Sequence, residues 1–177
     1  MNPDRNRSVR NRWLLAFLLV IGPALVWYLF IRPVPTEVAV YFTRVQDGEA
    51  TLAPVTRLVL ARSLESKLRG AYTALLAGPS EGERALGLTT EIPPGTVLRG
   101  LAVAGDVAVV DLSAEVERGG GSSSVQGRVW QLVYTGTQFS GVSRVRILIE
   151  GQPRKALGGE GFIIEDPLPR PPAIPRF

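Results

Sequence analysis

The 177-residue chain has 20 basic and 16 acidic side chains, 45% hydrophobic residues, and neither cysteine nor histidine. Without Cys there is no disulfide, thiol nucleophile, iron–sulfur cluster or Cys-built zinc site, and without His the commonest general base and metal ligand are gone. The net charge of +4 resides in Arg5, Arg7, Arg10, Arg12 and Arg32 against Asp4, so 15 basic residues face 15 acidic ones from residue 33 onward, and no nucleic-acid partner is expected.

The basic arm 1–12 precedes an uncharged run, WLLAFLLVIGPALVWYLFI, at 13–31. As a helix it would span roughly 28 Å, close to the hydrocarbon thickness of a bilayer. Trp13, Trp27 and Tyr28 lie near its ends, where amphipathic rings suit the interface. The arginine bias places the N-terminus in the cytoplasm and the following domain outside it. A cleaved signal peptide would have a shorter apolar region and a small-residue cleavage site; Phe30-Ile31-Arg32-Pro33 offers none, so a single-pass signal-anchor is expected.

A stiff linker, 32–37, leads to a domain at 38–166. Its first strand, 38–45, turns at Asp47-Gly48 into a return strand over 51–61, where Pro54 argues for an edge position. Ser63 is the expected cap of a helix whose buried stripe is Leu64, Leu68, Tyr72, Leu75 and Leu76, stopped by Gly78-Pro79. Residues 80–95 read as a loop. Residues 96–104 and 107–113 form a second hairpin across Gly105-Asp106, and both runs are apolar on both sides, as interior strands are. A second helix begins with a Ser123/Gln126 capping box and buries Val125, Val129, Leu132, Val133 and Phe139. Residues 144–150 alternate as a half-buried strand, and 161–164 add a short edge strand. The tail 167–177 holds five of the 14 prolines and is expected to be extended or disordered. No internal repeat is visible. The order β-β-α-β-β-α-β predicts an α+β fold, a single mixed sheet with two helices packed on one face.

Few residues suit chemistry, and no catalytic, cofactor or metal site is expected. Gly119, Gly120, Gly121 and Ser122 precede a helix N-terminus, where free N–H groups can hold an anion; the alternative is a flexible loop with a cap, and the P-loop pattern fails for lack of a lysine. Trp130, Tyr134, Tyr41, Phe42 and Tyr72 could stack on sugar rings, the alternative being that they are core; Trp130, a partial turn off the apolar stripe, is the one singled out. Asp111 and Glu115 are the best carboxylate pair for a glycosidase-like centre, against a reading in which Asp111 binds turn N–H groups. A Ser–Lys pair is excluded because position 64, three before Lys67, is leucine.

Several strings carry a resemblance: AYTALLAGP (71–79), IPPGT (92–96), VDLS (110–113), GGGS (119–122), QLVYT (131–135) and LGGEG (157–161). In this order and spacing the chain resembles the GerMN domain, the sporulation and spore-germination domain, over roughly 38–166. The resemblance implies a non-catalytic extracytoplasmic domain of bacterial envelope proteins. Members assist envelope assembly or peptidoglycan-related processes, some beside cell-wall amidases, and the fold is similar to ring-building motifs. Its implied partners are the membrane, envelope proteins, peptidoglycan or further copies of the chain as a homo-oligomer. Here there is one domain copy, and an apolar anchor in place of a lipidated cysteine. The alternative from another class is a carboxylate-dependent cell-wall hydrolase.

Overall fold

The computed structural model describes residue 17 and residues 19–28, 32–46, 48–158 and 161–177. It divides into two compact units, 1–34 and 35–177. In the first, residue 17 and residues 19–28 are helical, with Phe17, Leu19, Val20, Leu25, Val26 and Trp27 exposed. Among the described residues no helix is long and apolar enough to cross a membrane. The arm 1–12 and the remainder of the 13–31 run lie outside the described residues.

Two 13-residue strands, β1 (Val34–Gln46) and β2 (Glu49–Ala61), form the expected first hairpin. Gly48 takes φ +82°, which only glycine adopts without strain. Most of the anticipated linker is therefore strand, tied to β2 where the Thr36 hydroxyl donates to the Ala61 carbonyl at 3.1 Å. Helix α1 (Leu64–Leu76) starts where the Ser63 hydroxyl accepts the Ser66 N–H, and it buries Leu68, Ala71, Tyr72 and Leu75. Gly78, at φ +76°, donates its N–H to the Leu75 carbonyl and ends it.

The segment read as a loop contains a short helix, α2 (Glu81–Ala85). A reciprocal capping box forms it: the Ser80 hydroxyl accepts the Glu83 N–H at 3.3 Å while the Glu83 carboxylate accepts the Ser80 N–H at 2.8 Å. Strand β3 (Leu88–Thr89) then pairs antiparallel with β1. Strands β4 (Leu98–Ala104) and β5 (Val107–Leu112) make the second hairpin. A 3-10 turn (Ala114–Glu117) leads to helix α3 (Ser122–Gly136), which crosses back to β6 (Arg144–Ile149), parallel to β5. Four two-residue strands follow: β7 (Gln152–Pro153), β8 (Ala156–Leu157), β9 (Phe162–Ile163) and β10 (Leu168–Pro169).

The α+β class holds, but the single sheet does not. Among the described residues there are three sheets: β2-β1-β3; β10-β6-β5-β4 with β7 beside β6; and β8-β9. The reason lies at β1, whose second edge is taken by β3 and by side chains of α3, so no further strand can add there. Strand β4 is an edge rather than an interior strand, and its Ala102 and Ala104 are exposed. One core joins the whole: Val40 and Phe42 of β1, Tyr72 of α1, Ala108 and Val110 of β5, Val129 and Leu132 of α3, and Ile147 and Ile149 of β6. The tail is extended but docked. Leu168 pairs with Val145, and Phe177 exchanges both backbone hydrogen bonds with Ala50, at 3.1 and 3.0 Å.

Candidate functional site

Helix α3 carries two stripes. Val125, Val129, Leu132 and Val133 are the apolar one, and Arg128, Gln131 and Thr135 are a polar one at spacings of three and four, continued by Gln138 in the turn just past the helix end. The polar stripe closes the open edge of β1. Ala39 gives and receives a bond with the Gln138 amide, the Tyr41 N–H donates to the Thr135 hydroxyl at 3.3 Å, and Gln131 Nε2 donates to the Tyr41 carbonyl at 2.9 Å. Gln131 Oε1 also accepts the Glu91 N–H at 2.8 Å. Buried backbone groups need such partners, and here a helix supplies them in place of a strand.

Arg128, 1% exposed, donates to the carbonyls of Glu91 (3.0 Å), Val116 (2.5 Å) and Gly119 (3.1 Å). Burial lowers its pKa from the ordinary value, partly offset by the charge of Glu91, which is itself bonded by the Ser124 hydroxyl at 2.7 Å. The glycine stretch wraps this guanidinium. Gly120, at φ +83°, leaves no room for a Cβ: one would lie 2.6 Å from the Ser124 hydroxyl oxygen. The expected Ser123/Gln126 box is not what starts α3; Gly121 is the cap residue and no side chain caps it. The Gly119 carbonyl is tied inward to Arg128, although residues 119–122 are all exposed. Trp130 belongs to another neighbourhood. It is half-buried, packs on the core and meets Phe162 edge-to-face with centroids 5.4 Å apart. Its indole N–H is buried without a partner among the described residues.

The carboxylates have structural partners. Asp111 accepts the Gly151 N–H at 2.7 Å, and Glu150 accepts the Ala114 N–H at 3.0 Å. Arg99 lies 3.8 Å from Asp111 and 3.1 Å from Glu150. Glu115 is held by the Ser113 hydroxyl and by Arg118 at 3.3 Å, which lower its pKa. The fork of Arg57, both contacts at 2.6 Å, and the Ser80 N–H bring the Glu83 pKa down to about 2. Arg144 and the Ser143 hydroxyl do the same for Asp106. Among the described residues no cluster of three or more acidic residues is placed to hold a metal ion.

Three surfaces remain. A groove of about 470 Å³ lies between the end of α1, Arg84, β3 and Ile92–Gly95. The outward side of β2 exposes Pro54, Thr56, Leu58 and Leu60, the two leucines at 73% and 72%. Pro54 marks β2 as an edge strand, and the exposed row beyond it has no signal of its own in the sequence. The third surface is the strip of α3 crossed by the tail. There Arg170 packs over Tyr134 at 4.5 Å and Tyr41 at 5.4 Å, and donates to the Tyr134 carbonyl at 2.6 Å and the Thr137 hydroxyl at 2.9 Å.

The family model described as "Sporulation and spore germination" (Germane) matches residues 39–155. The chain belongs to this family, whose unit is the GerMN domain. Among solved structures it is similar to the tandem GerMN domains of the sporulation protein GerM from Bacillus subtilis: TM-score 0.64 and 18% identity, covering 79% of this chain and 46% of that one. The first GerMN domain of the same protein gives 0.56 and 22%, covering 76% and 98%. A candidate lipoprotein from Clostridium perfringens gives 0.56 and 24%, covering 76% and 87%. These likenesses establish the fold, and this chain spans under half of the tandem protein. No curated protein matches.

Proposed function

We propose that the chain is a membrane-anchored, extracytoplasmic GerMN module that acts by binding, without catalysis, in the assembly of the bacterial envelope, with peptidoglycan or envelope proteins as partners. The observation that carries this reading is the outward side of β2. Thr56, Leu58 and Leu60 stand exposed on the terminal strand of a sheet, a surface suited to strand addition or apolar docking. Ala50 already uses that edge to pair with Phe177. By strand alternation, Leu58 and Leu60 direct their backbone groups to the same side.

The exposed apolar helix residues Phe17, Leu19, Val20, Leu25 and Val26 favour an anchor, and tethering makes weak contacts sufficient by raising local concentration. The hydrolase reading needs two free carboxyls about a cleft, whereas Asp111 accepts the Gly151 N–H and Glu115 is engaged by the Ser113 hydroxyl and Arg118.

The test is retention on purified sacculi and on detergent-solubilised envelope by the full-length chain and its Leu58→Ser/Leu60→Ser variant, beside a peptidoglycan zymogram. Retention lost in the variant, with no clearing, supports the module. Equal retention, or clearing abolished by Asp111→Asn, overturns it.

A further inference from the structure

Residues 168–177 cross α3 as a bound extended segment. It starts where Leu168-Pro169 pairs with Val145 and Arg144 of β6, and it finishes where Phe177 pairs with Ala50 of β2, so it bridges the outer edges of two sheets. Between them one hydroxyl reads its backbone, because Tyr134 Oη lies 3.2 Å from the Pro171 carbonyl and 2.9 Å from the Ala173 carbonyl. Arg170 is the side-chain anchor. Its guanidinium lies over the Tyr134 ring, touches the Tyr41 hydroxyl at 3.5 Å, and satisfies the Tyr134 carbonyl in the last turn of α3. That turn has no basic residue of its own, so the tail supplies the cation favoured at a helix C-terminus. Tyr41 and Tyr134 themselves meet edge-to-face at 5.3 Å. At the far end, a Cβ on Gly127 would run into the Phe177 ring, so this helix position is kept bare for the tail's last side chain.

A tyrosine pair that clasps an arginine, a tyrosine hydroxyl aimed at carbonyls between prolines, and a glycine seat for an aromatic ring are the elements of a site for proline-rich segments. Prolines have no N–H to place, and their restricted backbone loses little entropy on binding. We infer that the strip formed by Tyr134 and Gly127 of α3 with Tyr41 of β1 is a docking groove for an extended, proline-rich, arginine-bearing segment, filled in cis by residues 168–177 and able to take the same segment from a second copy in trans. The exposed Glu165-Asp166 step precedes the tail, so a swapped tail would make identical contacts from a neighbouring chain. This assignment is independent of the envelope partner and of Leu58 and Leu60; it shares with the outer edge of β2 only the pairing of Phe177 with Ala50.

The experiment uses the full-length protein with a specific protease site placed at Glu165-Asp166 and cut only after folding, so folding itself is not at issue. A fluorescent peptide of residues 167–177 is then titrated into cut and uncut protein and followed by anisotropy. Cut protein should bind it saturably, and uncut protein at least about tenfold more weakly, because the resident tail competes at a high effective concentration. An Arg170→Ala peptide, and wild-type peptide on cut Tyr134→Phe protein, should each bind about tenfold more weakly, a difference of about 1.4 kcal/mol. The inference is overturned if the peptide shows no saturable binding to the cut protein up to about millimolar, a range where contacts are worth no more than about 4 kcal/mol. Equal binding to cut and uncut protein, or by wild-type and Arg170→Ala peptides, would overturn it as well.

Discussion

The side-chain amide of Gln138 pairs with both backbone groups of Ala39, Nε2 donating to its carbonyl at 2.6 Å and Oε1 accepting its N–H at 2.7 Å. The contact spans 99 residues of sequence and reproduces the bonds a neighbouring strand would make. Gln138 also donates to the Thr135 carbonyl at 2.6 Å, which fixes its orientation at the end of α3. A helix terminus thereby closes a strand edge and keeps β1 out of the larger sheet.

Gln138→Ala should therefore destabilise the domain by about 1–2 kcal/mol, since half-buried backbone groups lose their partners. Gln138→Glu should cost about as much, because the carboxylate accepts the Ala39 N–H but has no donor for its carbonyl. Urea denaturation reads both.

Arg128→Lys should cost about 3 kcal/mol. An ammonium cannot reach three carbonyls in the directions that the guanidinium fork does, and the carbonyls of Glu91, Val116 and Gly119 are left short of donors. Proteolysis within the 118–122 segment should rise with it, since Arg128 ties Gly119 down.

Two glycines should respond in opposite senses to alanine. At Gly136 a Cβ would run into the Tyr72 hydroxyl and a Val145 methyl, disturbing the buried bond from Tyr72 to the Leu132 carbonyl at 3.0 Å. Gly136→Ala should cost about 1–3 kcal/mol despite its helix-propensity gain. Gly82, in α2, has open space around its Cβ position, and Gly82→Ala should gain up to about 1 kcal/mol.

The pH dependence has a definite sign. Glu83 and Asp106 have folded-state pKa values of about 2, below their ordinary 4.5 and 3.8. Their stabilisation is fully present above those ordinary values and is lost as pH falls from about 4.5 toward 2. Thermal midpoints should drop in that window, less steeply in high salt because both carboxylates are near solvent. Glu83→Gln should flatten the drop and leave the profile between pH 6 and 8 level.

The local signals in the sequence were strong where one residue type has one physical use. Gly48 and Gly105 set the hairpins, Ser63 capped α1, and the apolar stripe of α3 was right at Val125, Val129, Leu132 and Val133, whereas Phe139 lies past the helix end and is half-buried. The capping box at Ser80 and Glu83 was equally readable, but the surrounding turn formers concealed a helix only five residues long. Three features were not legible. The polar stripe of α3 looks like a solvated face until its partners, up to 99 residues away, are known. The division into separate sheets follows from those same long-range bonds. The tail's prolines indicate extension, but the docking of Arg170 depends on two tyrosines brought together by the fold. Of the candidate binding set, Gly119 and Gly120 lie against Arg128, Gly121 and Ser122 are exposed, and Trp130 meets Phe162.

The central claim is that β2 presents its outward side to a partner beyond the membrane, and photocrosslinking in intact cells tests it most directly. A photoreactive residue at position 58, and a second at the exposed position 102 of β4 as reference, would be compared with the chain otherwise unchanged. Adducts to peptidoglycan or to an envelope protein at 58 and not at 102 are the expected result. Adducts only to cytoplasmic proteins, or none at 58 while 102 reacts, would contradict it.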